Sequence, residues 1–139
     1  MSAEFQFEIL TPGRKLFGDK VSEVIVPAWD GETGILADHE NFVGKLGTGA
    51  LKVVKQGNDF WYMISGGVYE VRDGLVSILA QQAEEASEID VEAATQAEKE
   101  LKESLPKTNL NTKEGLAIEQ ELKRAEARLE VNNRTRSVH

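Results

Sequence analysis

Hydrophobic residues recur at every second position through the first part of this chain and at helical spacing through the last, and the change falls within residues 80–90 (AQQAEEASEID). Phe5, Phe7 and Ile9 alternate with Gln6 and Glu8, which predicts a half-buried strand ended by Thr11-Pro12-Gly13. Leu16-Phe17 leads through Gly18-Asp19 into the apolar run 21–26, which Pro27 closes. Asp30-Gly31-Glu32-Thr33-Gly34 places two glycines and two carboxylates in a segment that reads as an exposed, tightly turned loop. Gly44, Gly47 and Gly49 punctuate the approach to the run 50–55, and Gly57-Asn58-Asp59 marks another turn. The run 59–64 (DFWYMI) predicts a strand buried on both faces, with Gly66-Gly67 at its end. Residues 68–71 and 75–79 flank Asp73-Gly74, a hairpin signature. Some eight or more short strands, with no convincing helix before residue 85, predict an antiparallel β-sandwich or barrel.

Beyond the acidic connector the period changes. Asp90 suits an N-cap, with Glu92 in the first turn, for a helix over 91–105 that Pro106 stops. Its apolar stripe, Val91, Ala94, Ala97, Leu101 and Leu105, is narrow and shallow. Asn111 with Glu114 gives a capping-box-like start to a second helix, whose first turn Gly115 weakens. Ile118, Leu122, Ala125 and Leu129 line its apolar face, and Lys123, Arg124, Glu126, Arg128 and Glu130 take the remainder. The short connector predicts an antiparallel helical hairpin. The fold class is therefore α+β, with a sandwich domain over 1–85 and a helical hairpin domain over 86–139. Each helix offers only two or three large apolar groups, worth roughly 1.5 to 3 kcal/mol apiece when buried. Ordering entropy offsets much of this, so docked and undocked hairpins are expected to lie within a few kcal/mol.

Composition removes several function classes. A chain of 139 residues without cysteine has no disulfides and no thiolate metal site, and His39 and His139 are its two imidazoles. Neither a ~20-residue apolar run nor a signal-peptide pattern is present, so membrane insertion by this chain is not expected. A formal charge of -8 argues against nucleic-acid binding. Nothing places Ser65 and Asp38 around His39, and a sandwich supplies no nucleophile elbow, so no catalytic residues are assigned. Glu84-Glu85 reads as a solvated run, and Ser65-Gly66-Gly67 as a tight bend between strands rather than a phosphate loop. From residue 123 onward five basic residues face two acidic ones, Glu126 and Glu130. That cluster is either a solvated helix face or a tail that docks on an acidic partner. Trp61 is expected in the core; Trp29, beside the acidic loop, fits an ordinary surface position and an interface equally.

Gly31-x-x-Gly34-Ile35-x-x-x-His39, Leu46-Gly47, Ile64-Ser65-Gly66-Gly67-Val68-x-Glu70-Val71 and a hairpin opening at Ile89-Asp90 occur in this order, and together they resemble the epsilon subunit of bacterial F-type ATP synthases. The resemblance covers essentially the whole chain. It implies a non-enzymatic rotor subunit of about ten sandwich strands, bound to the gamma subunit and the c-subunit ring, at the cytoplasmic face of a bacterial inner membrane or its plastid equivalent. It places Asp30, Glu32 and His39 at the polar loops of the c ring. It also implies a movable hairpin that extends into the catalytic head and blocks hydrolytic rotation, with Lys123, Arg124 and Arg128 facing an acidic segment of the beta subunit. Many members bind ATP through Ile/Leu-Asp-x-x-Arg-Ala, where this chain has Ile89-Asp90-Val91-Glu92-Ala93-Ala94. Ala93 stands at the arginine position. Losing a charge-assisted hydrogen bond to phosphate weakens binding by about ten- to a hundredfold, so ATP binding is expected to be weak or absent even with Arg124 and Arg128 available. A nucleotide-sensing module and a generic sandwich-hairpin adaptor are the rival readings.

Overall fold

The computed structural model describes residues 3–136; His139 lies outside the described residues. Eight strands come first: β1 (Phe5–Leu10), β2 (Lys15–Val21), β3 (Glu23–Ala28), β4 (Gly31–Leu36), β5 (Phe42–Lys45), β6 (Thr48–Lys55), β7 (Asn58–Arg72) and β8 (Leu75–Glu85). A 3-10 turn, Ala86–Glu88, leads to helix α1 (Val91–Ser104). A second, Leu105–Lys107, opens the connector to helix α2 (Lys113–Arg136).

The strands pair in the order β2-β1-β8-β7-β6-β3-β4, with β5 on β7. The first half of β7 pairs with β6 and its second half with β5, while β8 lies beside β1 only as far as Leu79. Both strands therefore pass from one layer of the sandwich to the other and serve in each. That is how eight strands build the layers that about ten were expected to fill.

The passage corrects the reading of Gly66-Gly67 as a strand end. Both glycines have positive φ, +73° and +109°, and the β7–β8 register runs on from Tyr62↔Glu85 to Arg72↔Leu75. A side chain at Gly67 would collide with the carbonyl oxygen of Leu79. Glycine thus lets the strand bend sharply without losing its ladder. Gly18-Asp19 likewise lies inside β2, paired with Glu8 and Phe7. The glycine-rich acidic segment turns only at Trp29-Asp30; Gly31 to Gly34 belong to edge strand β4. Pro27 sits within β3, past Ile25 where pairing with β6 has ended, so its missing N–H interrupts no ladder there. The expected acidic connector is mostly the second half of β8.

Two separate apolar clusters result. The larger fills the sandwich with Phe7, Ile9, Val26, Ile35, Leu51, Ile64 and Ile78 among others, and takes no residue from either helix. The smaller joins Ala50 and Met63 of the sheet to Ala127 and Val131 of α2, flanked by Trp61, Ala86 and Ile89.

Asp90 caps α1 as expected, its Oδ1 accepting the Ala93 N–H at 3.0 Å. The cap of α2 is Thr112 rather than Asn111: Thr112 Oγ1 accepts the Gly115 N–H at 3.0 Å, and Asn111 donates its own N–H to Asn109 Oδ1. Gly115 is buried, and a Cβ there would strike the Asn109 carbonyl and lie 2.8 Å from Leu110 Cα. The residue expected to weaken the turn is what lets the connector cross so closely.

The helices stack on the sheet in sequence. α1 packs on α2, and α2 packs on β6 and β7. At about 100° per residue, Leu122 and Ala125 point one way, toward α1, while Ala127 and Val131 point roughly opposite, toward the sheet. The single apolar face assigned to α2 is therefore one of two.

Candidate functional site: the seam between sandwich and hairpin

Alternation along β7 creates the seam. Tyr62 and Ile64 enter the sandwich core, so Met63 between them points outward, beside its cross-strand partner Ala50. Burial on both faces holds for Tyr62, Met63 and Ile64 because α2 covers the outer face. Phe60, earlier in the run, is exposed, and Trp61 is half-buried at the seam rather than in the core.

The polar part of the seam is centred on Ser65, the buried polar side chain among the described residues. Its Oγ accepts from Arg124 Nε at 3.0 Å and from Gln120 Nε2 at 3.3 Å, and lies 3.0 Å from Thr48 Oγ1. Gln120 Nε2 also donates to Thr48 Oγ1 at 2.8 Å. One turn further along, Arg128 Nε donates to Glu84 Oε1 at 2.6 Å. Arg124 forms a further ion pair with Glu121. The side chains of Arg124 and Arg128 are only 17% and 24% exposed. Of the two readings of the basic cluster, a solvated helix face therefore does not hold for Arg124 and Arg128, and Glu84 is corrected from a solvated run to a partner of Arg128. Gln120, Arg124, Ala127, Arg128 and Val131 recur at helical spacing, and the polar members conceal that stripe from a purely hydrophobic reading.

The remaining predicted residues divide between positions. Lys123 points outward and pairs with Glu119 at 3.6 Å. Arg134 stands over the Trp61 ring, 5.6 Å from its centroid. Ile89 packs against the seam cluster, while Asp90 is engaged as the α1 cap and Ala93 is exposed. Where β8 gives way to α1, Arg14 Nη2 donates to Glu88 Oε1 at 2.7 Å, and the same oxygen accepts the Glu85 N–H at 2.9 Å. The Arg14 hydrogen bond, followed by the Glu85 N–H, holds the Glu88 carboxyl below its ordinary range and raises the guanidinium in turn.

At another corner, Trp29 is 67% exposed at its turn. A cleft of about 280 Å³ brings Asp30 and His39 together with Trp29, Phe42 and Tyr69, while Glu32 lies exposed on β4 beside it. His39 Nδ1 lies 3.0 Å from the Glu40 carbonyl oxygen, whereas Ser65 Oγ is engaged by Arg124 and Gln120 in the seam. Among the described residues no cluster of His, Asp and Glu has the grouping of a metal site.

Residues 4–86 match the family model described as "ATP synthase, Delta/Epsilon chain, beta-sandwich domain". The chain is 39% identical over 132 residues to the ATP synthase epsilon chain of Caldanaerobacter subterraneus, covering 94% of this chain and 95% of that one. It belongs to the ATP synthase epsilon-chain family.

A second family member, the ATP synthase epsilon chain of Pelotomaculum thermopropionicum, is 39% identical over 102 residues, with 73% of this chain and 76% of that one covered. Among solved structures, a chain of the Euglena gracilis mitochondrial ATP synthase (OSCP/F1/c-ring) matches with a TM-score of 0.79 at 27% identity, covering 100% of this chain and 84% of that one. A chain of the Tetrahymena thermophila mitochondrial ATP synthase central stalk and c ring has a TM-score of 0.64 at 15% identity, which shows the shared fold. As an epsilon-family member this chain is a non-catalytic subunit of an ATP synthase. The matched domain ends at residue 86, so the α2 half of the seam comes from outside it. No helix among the described residues is long and apolar enough to cross a membrane.

Proposed function

We propose that this epsilon-family chain is a rotor piece whose sandwich is held by the gamma subunit and the c ring, and whose hairpin leaves the seam to restrain ATP hydrolysis. The observation that carries this reading is the separation of the two apolar clusters. The sandwich core is complete without the helices, so hairpin release costs only the seam. There, Met63 and Val131 contribute roughly 1.5 to 3 kcal/mol each and the two alanines less, against the entropy of holding α2 in place. A partner that prefers the extended hairpin by a few kcal/mol reverses the balance.

The partner assignments follow the surfaces. Asp30, Glu32 and His39 meet the polar loops of the c ring, with Trp29 at the same corner. Val68 and Leu79 are cross-strand neighbours on the outer face of β7 and β8, and with Val43 on β5 they form an exposed apolar patch suited to the gamma subunit. On release, Arg124 and Arg128 exchange Ser65 and Glu84 for the acidic segment of the beta subunit, joined by Lys123. Such a complex works at the cytoplasmic face of its membrane. ATP sensing is weak or absent, since Ala93 brings no cation and both arginines already have partners in the docked state.

The test is ATP hydrolysis by the catalytic complex stripped of this subunit and reconstituted with the full chain or with a chain ending at Glu88, beyond β8. Inhibition by the full chain alone, with both forms bound, is expected. Equal hydrolysis with both bound would leave the chain a coupling piece without a brake. A micromolar ATP site found by calorimetry would favour the nucleotide-sensing reading instead.

A further inference from the structure

The two sides of the seam each carry a polar atom that is out of water and without a partner: Trp61 Nε1 on the sandwich and Thr135 Oγ1 in the last turn of α2. Both are unusual for their surroundings. An indole N–H can only donate, and a buried one ordinarily finds an acceptor. A helical threonine ordinarily donates to the carbonyl four residues earlier, as Thr95 does to Val91 at 2.8 Å, yet Thr135 makes no such bond. Both side chains line one cleft of about 290 Å³, walled by Phe60, Tyr62 and Ala86. Arg134 caps the Trp61 ring beside them.

We infer that these two orphaned groups form a release spring built into the docked hairpin. Docking strips water from both without replacing its hydrogen bonds, and undocking restores it, so the stored cost favours release. The groups act in the docked state alone, because one belongs to each side of the seam. The favourable contacts elsewhere in the seam, Ser65 with Arg124 and Glu84 with Arg128, work against the spring. Their balance sets how readily a partner extracts the hairpin. Loss of the orphaned hydroxyl would shift that balance toward docking.

Thr135→Val keeps the shape of the side chain and removes its hydroxyl. In the full chain, amide exchange of α2 measured by mass spectrometry is expected to slow about fivefold or more, with the sandwich amides unchanged. Thr135→Ser, which keeps the hydroxyl, should leave α2 exchange near that of the parent chain. Unchanged or faster exchange in Thr135→Val overturns the inference; faster exchange would mean that an ordered water already satisfies the pair and the hydroxyl holds the seam together. This inference extends the proposed brake without sharing its fate. If Thr135→Val slows exchange but inhibits hydrolysis in the reconstituted enzyme as strongly as the parent, the spring stands and the brake reading fails.

Discussion

Met63 and Ile64 are adjacent, equally buried and of similar size, yet they hold different parts of the molecule together. Truncating Met63 to alanine removes a thioether side chain packed against Ala50, Ala127 and Val131. Buried Met→Ala changes cost about 2 to 5 kcal/mol. In the proposed released state Met63 would face water, so almost the whole cost would fall on docking. At about 1.4 kcal/mol per factor of ten, the docked population drops by roughly 30-fold even at the lower bound. The gross apolar contribution of the seam is itself only a few kcal/mol, so Met63→Ala is expected to undock the hairpin. Amide exchange of α2 should accelerate by about 30-fold or more while the thermal midpoint of the sandwich stays in place. Ile64→Ala should do the reverse, lowering sandwich stability by about 2 to 5 kcal/mol because Ile64 belongs to the sandwich core. In a reconstituted enzyme Met63→Ala should inhibit hydrolysis more deeply than the parent chain. If Met63→Ala lowers the sandwich midpoint as much as Ile64→Ala does, or leaves α2 exchange unchanged, α2 does not rest on Met63 and the two-cluster account is wrong.

Gly115→Ala should cost about 1 to 3 kcal/mol, since its Cβ meets backbone of the connector at Asn109 and Leu110, and circular dichroism should show the hairpin melting before the sandwich. The Arg14–Glu88 pair should respond to acid. Glu88 is held below its ordinary value of 4.5, so its contribution is fully present above that pH and is lost as pH falls through the lower folded value. Exchange at residues 85–89 should therefore rise below about pH 4.5, and Glu88→Gln should remove that dependence. Tyr62 is pushed up to about 12, first by burial and then by Glu85 and Glu88. Stability linked to it is full below the ordinary value of 10.0 and lost as pH rises toward 12, so absorbance titration should show this phenol ionising late, together with alkaline unfolding.

Much of the architecture was legible because it is local chemistry. The alternation of Phe5, Phe7 and Ile9, the Asp73-Gly74 turn, the Asp90 cap and the stop at Pro106 each act within a few residues, and each stands where the pattern placed it. The family motifs were legible for the same reason, as a run of close-set residues in order. Glycines were read less well. Gly66-Gly67 and Gly115 look like breaks, and whether a glycine ends an element or permits a close crossing depends on what lies opposite, here Leu79 and Asn109.

The sequence by itself determined a sandwich joined to a two-helix hairpin, the acidic corner at Asp30, and a basic second helix in an acidic chain. Tertiary structure alone decided which way that basic helix faces. Arg124 and Arg128 look like solvated cations along the chain, and only the return of α2 across β6 and β7 brings them to Ser65 and Glu84. The same holds for Trp61, half-covered by α2, and for the two faces of 62–64. Periodicity reports how a residue is oriented within its own element; which partner fills the space beyond it is settled by contacts 44 to 72 residues apart in the chain, which no local pattern records.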